Sequence, residues 1–144
     1  MPRSVLKFAY TTFPWTDPAF PNQTEGHLPL LEIGFEVGGI RFASFSMIDS
    51  GAGRILLPMA LAVAHGVNLG GSPQTPVVGV AGAGTGLAVD ARITVLRMGE
   101  SWNTRVTFCD GLDAIGMPLL GQYGFFDHCD VDIRLRARQF KISI

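Results

Sequence analysis

Gly38-Gly39 sits between two runs of alternating side chains, and this feature constrains the fold most. Ahead of it, Leu31, Ile33, Phe35 and Val37 alternate with Glu32, Gly34 and Glu36. That period of two is the mark of a strand with one wet face. Behind it the chain runs from Ile40 to Ile48 and delivers Asp49 at its end. A two-residue hairpin turn wants positive φ at both central positions, which glycine adopts without a Cβ clash. The pattern predicts two antiparallel strands joined at residues 38 and 39.

Further strand signals follow the same logic. Leu6, Phe8 and Tyr10 alternate, as do residues 87–95, then Trp102, Thr104, Val106 and Phe108. Cys129, Val131, Ile133 and Leu135 read as another strand, and a turn near Ala137-Arg138 leads to Phe140, Ile142 and Ile144. Pro58 to His65 reads as a short helix, with proline in the first turn and Gly66 at the C-terminal end. Residues 13–27 carry Pro14, Pro18 and Pro21 and read as an extended loop, with Trp15 and Phe20 as anchors on the core. Residues 122–127 are expected to make one or two helical turns. Many short strands punctuated by glycine imply an all-β protein, a closed barrel or a sandwich.

With 144 residues, 47% of them hydrophobic, the chain is long enough for one domain with a sizeable core. Lys+Arg is 11 and Asp+Glu is 12, so no basic excess points to nucleic acid. The apolar run from Ile55 to Ala64 is broken by Pro58 and too short to span a bilayer. The first residues hold no apolar signal core, so a cytoplasmic protein with no membrane partner is expected. Cys109 and Cys129 fall on separate predicted strands and are expected as two reduced, buried thiols. His27, His65 and His128 have no metal-ligand spacing with them. Asp127, Asp130 and Asp132 read as a solvated face opposite Arg134, Arg136 and Arg138.

The chemistry-bearing stretch is Phe45-Ser46-Met47-Ile48-Asp49-Ser50-Gly51-Ala52-Gly53, which occurs once. Apolar residues lead into a carboxyl, followed by a hydroxyl and small residues that expose backbone N–H groups. Apolar surroundings favour a carboxyl group that holds its proton, and the polar neighbours can orient it. Asp-Ser-Gly alone is a common turn tripeptide. Residues 82–87, Gly-Ala-Gly-Thr-Gly-Leu, echo a dinucleotide fingerprint only faintly: the third glycine is misplaced and no helical pattern follows.

In order along the chain stand Met47-Ile48-Asp49-Ser50-Gly51-Ala52, then a glycine-rich segment Val77-Val78-Gly79-Val80-Ala81-Gly82-Ala83-Gly84, then Leu119-Leu120-Gly121 followed by residues 122–127. In these parts the chain resembles the retropepsin-like aspartic proteases, over roughly residues 28–144. Residues 118–142, with Gly124-Phe125-Phe126-Asp127, look like the bacterial branch of that family. The resemblance implies a closed, homodimeric β-barrel. Residues 28–144 would form the protease domain and residues 1–27 an N-terminal strand with a proline-rich extension. It implies that Asp49 is the catalytic carboxylate, that Ser50 bonds across to a partner chain, and that Gly51, Ala52 and Gly53 leave room for substrate backbone. Leu119-Leu120-Gly121 would pack beneath the Asp49 loop. Val78, Gly79, Val80, Ala81, Gly82, Ala83 and Gly84 would belong to a flap that closes over a peptide or protein substrate.

The implied reaction uses two carboxylates sharing one proton, and no metal or other cofactor. With one triplet per chain, the second carboxylate must be Asp49 of another copy, which makes a C2 homodimer. Many members of the family carry an Asp two residues after the triplet glycine and an Arg after the apolar-apolar-Gly, and those charges pair. Gly53 and Gln122 stand there instead. The alternative from a different class is a non-catalytic dimeric β module that binds extended peptides by strand addition.

Overall fold

The computed structural model describes residues 3–79 and 82–144. In chain order the strands are β1 (Val5–Ala9), β2 (Thr11–Pro14), β3 (Glu25–Leu28), β4 (Leu30–Val37), β5 (Ile40–Ile48) and β6 (Leu56–Pro58). After helix α1 (Met59–His65) come β7 (Gln74–Gly79), β8 (Gly82–Val95), β9 (Glu100–Cys109), β10 (Leu119–Leu120), β11 (Asp130–Arg134) and β12 (Gln139–Ser143). No helix among the described residues is long and apolar enough to cross a membrane.

Six strands close a barrel in the order β4, β5, β10, β6, β9, β8, and β8 returns to pair with β4. The alternation gives the closed sheet an apolar inner face. Leu31, Ile33, Phe35 and Val37 are all buried, and Phe35 stacks on Phe42 with ring centroids 5.3 Å apart. Gly38 and Gly39 take φ of 55° and 82°, as a hairpin between β4 and β5 requires. Across β4 and β8, Ile33 faces Val95 and Phe35 faces Ile93, so the inward faces meet inside. Each fully buried residue of this size contributes roughly 1.5–3 kcal/mol through burial.

A second sheet runs β1–β12–β11 and pairs the two ends of the chain: Val5 faces Ser143 and Phe8 faces Phe140. Phe8 and Phe140 stack at 5.2 Å, and Phe8, Phe140 and Ile142 belong to the same buried core as the barrel residues. Helix α1 ends at Gly66 in the left-handed conformation (φ 71°), as its C-terminal glycine predicts.

Four expectations change. The loop is shorter than expected, residues 15–24, because its two ends form a hairpin: β2 and β3 pair from Thr11↔Leu28 to Pro14↔Glu25. The Phe13 ring covers Gly26, which has no Cβ to push it away. Trp15 and Phe20 do not anchor on the core; they are 45% and 61% exposed, and Trp15 packs edge-on against Phe13. Residues 122–127 form no helix. Gly124 at φ 100° leaves the helical region, and the N–H groups of Phe126 and Asp127 donate five residues back, to Gly121 O and Gln122 O. Asp127 belongs to this turn and is not simply solvated: its Oδ1 accepts from Gly124 N–H at 2.9 Å.

Candidate active site

The last residues of β5 sit in a parallel pairing with β10, Met47 beside Leu119 and Ile48 beside Leu120. Ile48 and Leu120 are buried, which explains why the sequence before Asp49 is apolar. Asp49 N–H donates to Leu120 O at 3.0 Å and fixes where the strand stops. The chain then folds back on itself. Ala52 N–H donates to Asp49 O at 3.1 Å, and Gly51 N–H donates to Asp49 Oδ1 at 2.9 Å. This is the turn that aspartate favours, its side chain bonding the backbone two residues on. Asp49 and Ala52 are half-buried, while Ser50, Gly51 and Gly53 are exposed. Among the described residues no side chain donates to Asp49, so the direct contact on its carboxylate is a backbone N–H.

A second backbone layer supports the loop. Residues 121–123 run alongside residues 52–54: Gln122 N–H donates to Ala52 O at 2.8 Å and Tyr123 N–H to Gly53 O at 3.0 Å. Gly121 is buried there because any Cβ would strike the Ala52 and Arg54 carbonyls. Leu119-Leu120-Gly121 therefore does pack against the Asp49 loop. Trp102 holds the far side of the turn, donating from Nε1 to Gly124 O at 2.7 Å and stacking on His128 at 5.0 Å.

Strand β7 and the first part of β8 form the glycine-rich hairpin, in register from Gln74↔Leu87 to Gly79↔Gly82. Val78 is 80% exposed, and Ala83 and Gly84 are exposed on the returning strand. Val80 and Ala81, also assigned to the flap from sequence, lie outside the described residues. The hairpin base touches the loop: Val77, Met47, Ala52 and Leu56 pack on a small buried cluster of Cys109, Leu112 and Leu119. Arg54 donates to Thr75 Oγ1 on β7.

The remaining candidates carry no competing chemistry. Cys109 and Cys129 are buried, free thiols. Burial pushes the Cys109 thiol up, and burial, aided by Asp130 and Asp127, pushes Cys129 up to about 12. Both stay protonated at neutral pH and are poor nucleophiles. Among the described residues no group of three or more His, Cys, Asp or Glu could hold a metal ion. Asp132 is held below the usual carboxylate range by its bond to Arg134, at the protein surface.

The sequence marked Gln122 only as the residue in place of the family's Arg and Trp102 only as a strand residue; their contacts here, and the link of Arg54 to Thr75, were not foreseen. Gln122 Nε2 donates to Ser50 O at 2.9 Å from 72 positions away, and no local pattern announces such a contact.

No family model matches the chain and no curated protein matches it. Among solved structures it is similar to a retropepsin-like aspartic protease from Rickettsia conorii, with 14% sequence identity, a TM-score of 0.57, and coverage of 99% of this chain and 94% of that one. At that identity the likeness establishes the fold: this chain has the retropepsin-like fold.

Proposed function

We propose that the chain is an aspartic endopeptidase that acts as a C2 homodimer, with one Asp49 from each copy activating a water. The observation that carries this reading is the state of Asp49 in one chain. Its carboxylate is half-buried at the end of a barrel strand, with Oδ1 held by Gly51 N–H. The residues after it, Ser50 and Gly51, stand open to solvent. Grooves of about 430 Å³ and 600 Å³ open on the outer barrel wall, and none of residues 49–53 lines either. A half-buried carboxylate oriented by backbone and flanked by solvent-open residues supports reading Asp49 as half of a two-carboxylate site.

In the dimer the two Asp49 groups share one proton, since like charges about 3 Å apart cannot both ionise. The ionised carboxylate takes a proton from water as it attacks the peptide carbon. The protonated one donates to the carbonyl oxygen. Ser50 bonds across the axis and ties the two loops. Gly51, Ala52 and Gly53 keep side chains away from substrate backbone. Val78, Gly79, Val80, Ala81, Gly82, Ala83 and Gly84 cover the bound peptide. Gly124-Phe125-Phe126-Asp127 supports a place in the bacterial branch of the family.

One observation favours the binding-only alternative: among the described residues β7 ends its sheet and pairs only with β8, which leaves an open edge for strand addition. The two readings separate by turnover of an unfolded protein at pH 4 to 6, with and without a statine-type peptide inhibitor. Cleavage that the inhibitor blocks and Asp49→Asn abolishes supports the protease. Peptide binding without any cleavage by the wild type refutes it.

A further inference from the structure

The Ser50–Gly51 peptide group is bonded at both ends. Its N–H, from Gly51, donates to Asp49 Oδ1 at 2.9 Å. Its carbonyl, from Ser50, accepts from Gln122 Nε2 at 2.9 Å. A carbonyl oxygen only accepts, so the nitrogen end of the Gln122 amide must face it. The C=O and N–H of one peptide lie in one rigid plane and point opposite ways. Whatever orients the Ser50 carbonyl therefore orients the Gly51 N–H, and with it the Asp49 carboxylate.

We infer that Gln122 is a positioning residue for Asp49, acting through the plane of the Ser50–Gly51 peptide. The inference rests on reading Asp49 as the reacting group. Aligned bonds of this kind polarise one another, so the donor at Gln122 also strengthens the donor at Gly51. The tether is neutral, so salt does not screen it as it screens an ion pair. The role is separable from folding. Gln122 is exposed, and the loop's backbone support comes from Gln122 N–H and Tyr123 N–H, which any side chain at 122 leaves in place.

The test compares wild type, Gln122→Ala and Gln122→Glu in the full chain by amide exchange across pH 3.5 to 7.5, alongside peptide turnover. Losing one exposed neutral hydrogen bond should lower the protection of the Gly51 amide roughly three- to tenfold in Gln122→Ala. Protection at Val106, in the core, should not move. The Glu variant is a titrating isostere. Its carboxyl can donate to Ser50 O while protonated, and once ionised it offers only acceptors to a carbonyl. Gly51 protection in Gln122→Glu should match wild type at pH 3.5 and fall to the Ala level by pH 7. In turnover, kcat should drop with KM nearly unchanged. Gly51 protection that ignores both substitutions overturns the inference. So does a pH-independent loss in the Glu variant, or a change confined to KM. If wild type cleaves nothing while Gly51 still responds as described, the relay stands and the protease reading alone falls.

Discussion

Gly121 lies against Ala52 so closely that a Cβ on Gly121 would stand 2.5 Å from the Ala52 carbonyl oxygen. The obstacle is backbone, and it belongs to the loop that carries Asp49. Gly121→Ala should therefore destabilise the chain by about 1–3 kcal/mol, the usual cost of overpacking, and should displace residues 52–54. Gly53, where a Cβ would meet nothing within 4 Å, is the control. Gly53→Ala should change stability by less than about 0.5 kcal/mol. Denaturant melts of the two variants decide the matter; equal midpoints would mean the loop moves freely away from residue 121.

Gly51→Ala separates activity from stability. A Cβ there would meet Asp49 Oδ1 at 3.2 Å and little else. The added methyl presses on the carboxylate and, in the proposed protease, would crowd the space for substrate backbone. Turnover should fall at least tenfold, while the melting midpoint stays near that of the wild type. A variant with full activity would show that Gly51 is not needed beside the reacting group.

The glycines of the hairpin should divide into two kinds. Gly86 is packed closely, and a Cβ there would meet Phe108 O at 2.9 Å and the Thr107 methyl. Gly84 has nothing within 4 Å. Gly86→Ala should cost about 1–3 kcal/mol, whereas Gly84→Val should leave stability nearly unchanged and reduce activity by stiffening the hairpin. If Gly84→Val keeps wild-type turnover, the hairpin is not a lid.

Asp49→Asn should abolish hydrolysis and keep the fold, since Asn preserves shape but cannot take a proton from water. It should also change association. In the proposed dimer the two Asp49 carboxyls would share one proton, and once rising pH removed it two like charges would face each other. Wild-type dimerisation should weaken from pH 4 towards pH 8, and Asp49→Asn should lose that dependence. Sedimentation of both forms reads it out, and identical pH profiles would mean that the carboxylates never meet.

Cys129 gives a stability prediction at alkaline pH. Its folded-state value is pushed up to about 12 by burial, against roughly 8.5 in an unfolded chain. A raised value means the neutral thiol is preferred when folded. The contribution is complete below the unfolded value and is lost as pH climbs towards 12, because only the unfolded state releases its proton in that window. Stability should fall between pH 9 and 11 by up to about 1.4 kcal/mol per pH unit. Cys129→Ala should flatten that slope in part, the remainder belonging to Cys109, whose thiol is also pushed up by burial. Thermal melts from pH 8 to 11 measure the difference.

What could be read from the chain alone has a local cause. The turn at Gly38-Gly39, the strand from Ile40 to Ile48 and the end of α1 at Gly66 depend on φ values and periodicity within a few residues. Each can be judged from its own side chains. The helix expected at residues 122–127 did not form because Gly124 takes φ 100°, outside the helical region, and the turn it makes is tied to Trp102, 22 positions away, a contact that no local pattern announces. The hairpin of β2 and β3 needed Phe13 to find Gly26, and three prolines hid that partnership.

The sequence by itself determined an all-β chain of short strands with one Asp-Ser-Gly and a glycine-rich segment, because strand faces and turn residues are chosen one or two positions at a time; that the strands close as a barrel and not a sandwich was decided by the pairing of β4 with β8. Only the tertiary structure decided how Asp49 is held. Gly51 N–H on its carboxylate follows from the turn, but the Gln122 amide on Ser50 O, the Gly121 backbone under Ala52, and the Arg54 link to Thr75 join residues from distant segments. Such contacts arise when closing the barrel brings β5, β6 and β10 side by side, and no period along the chain encodes which side chains will then face one another.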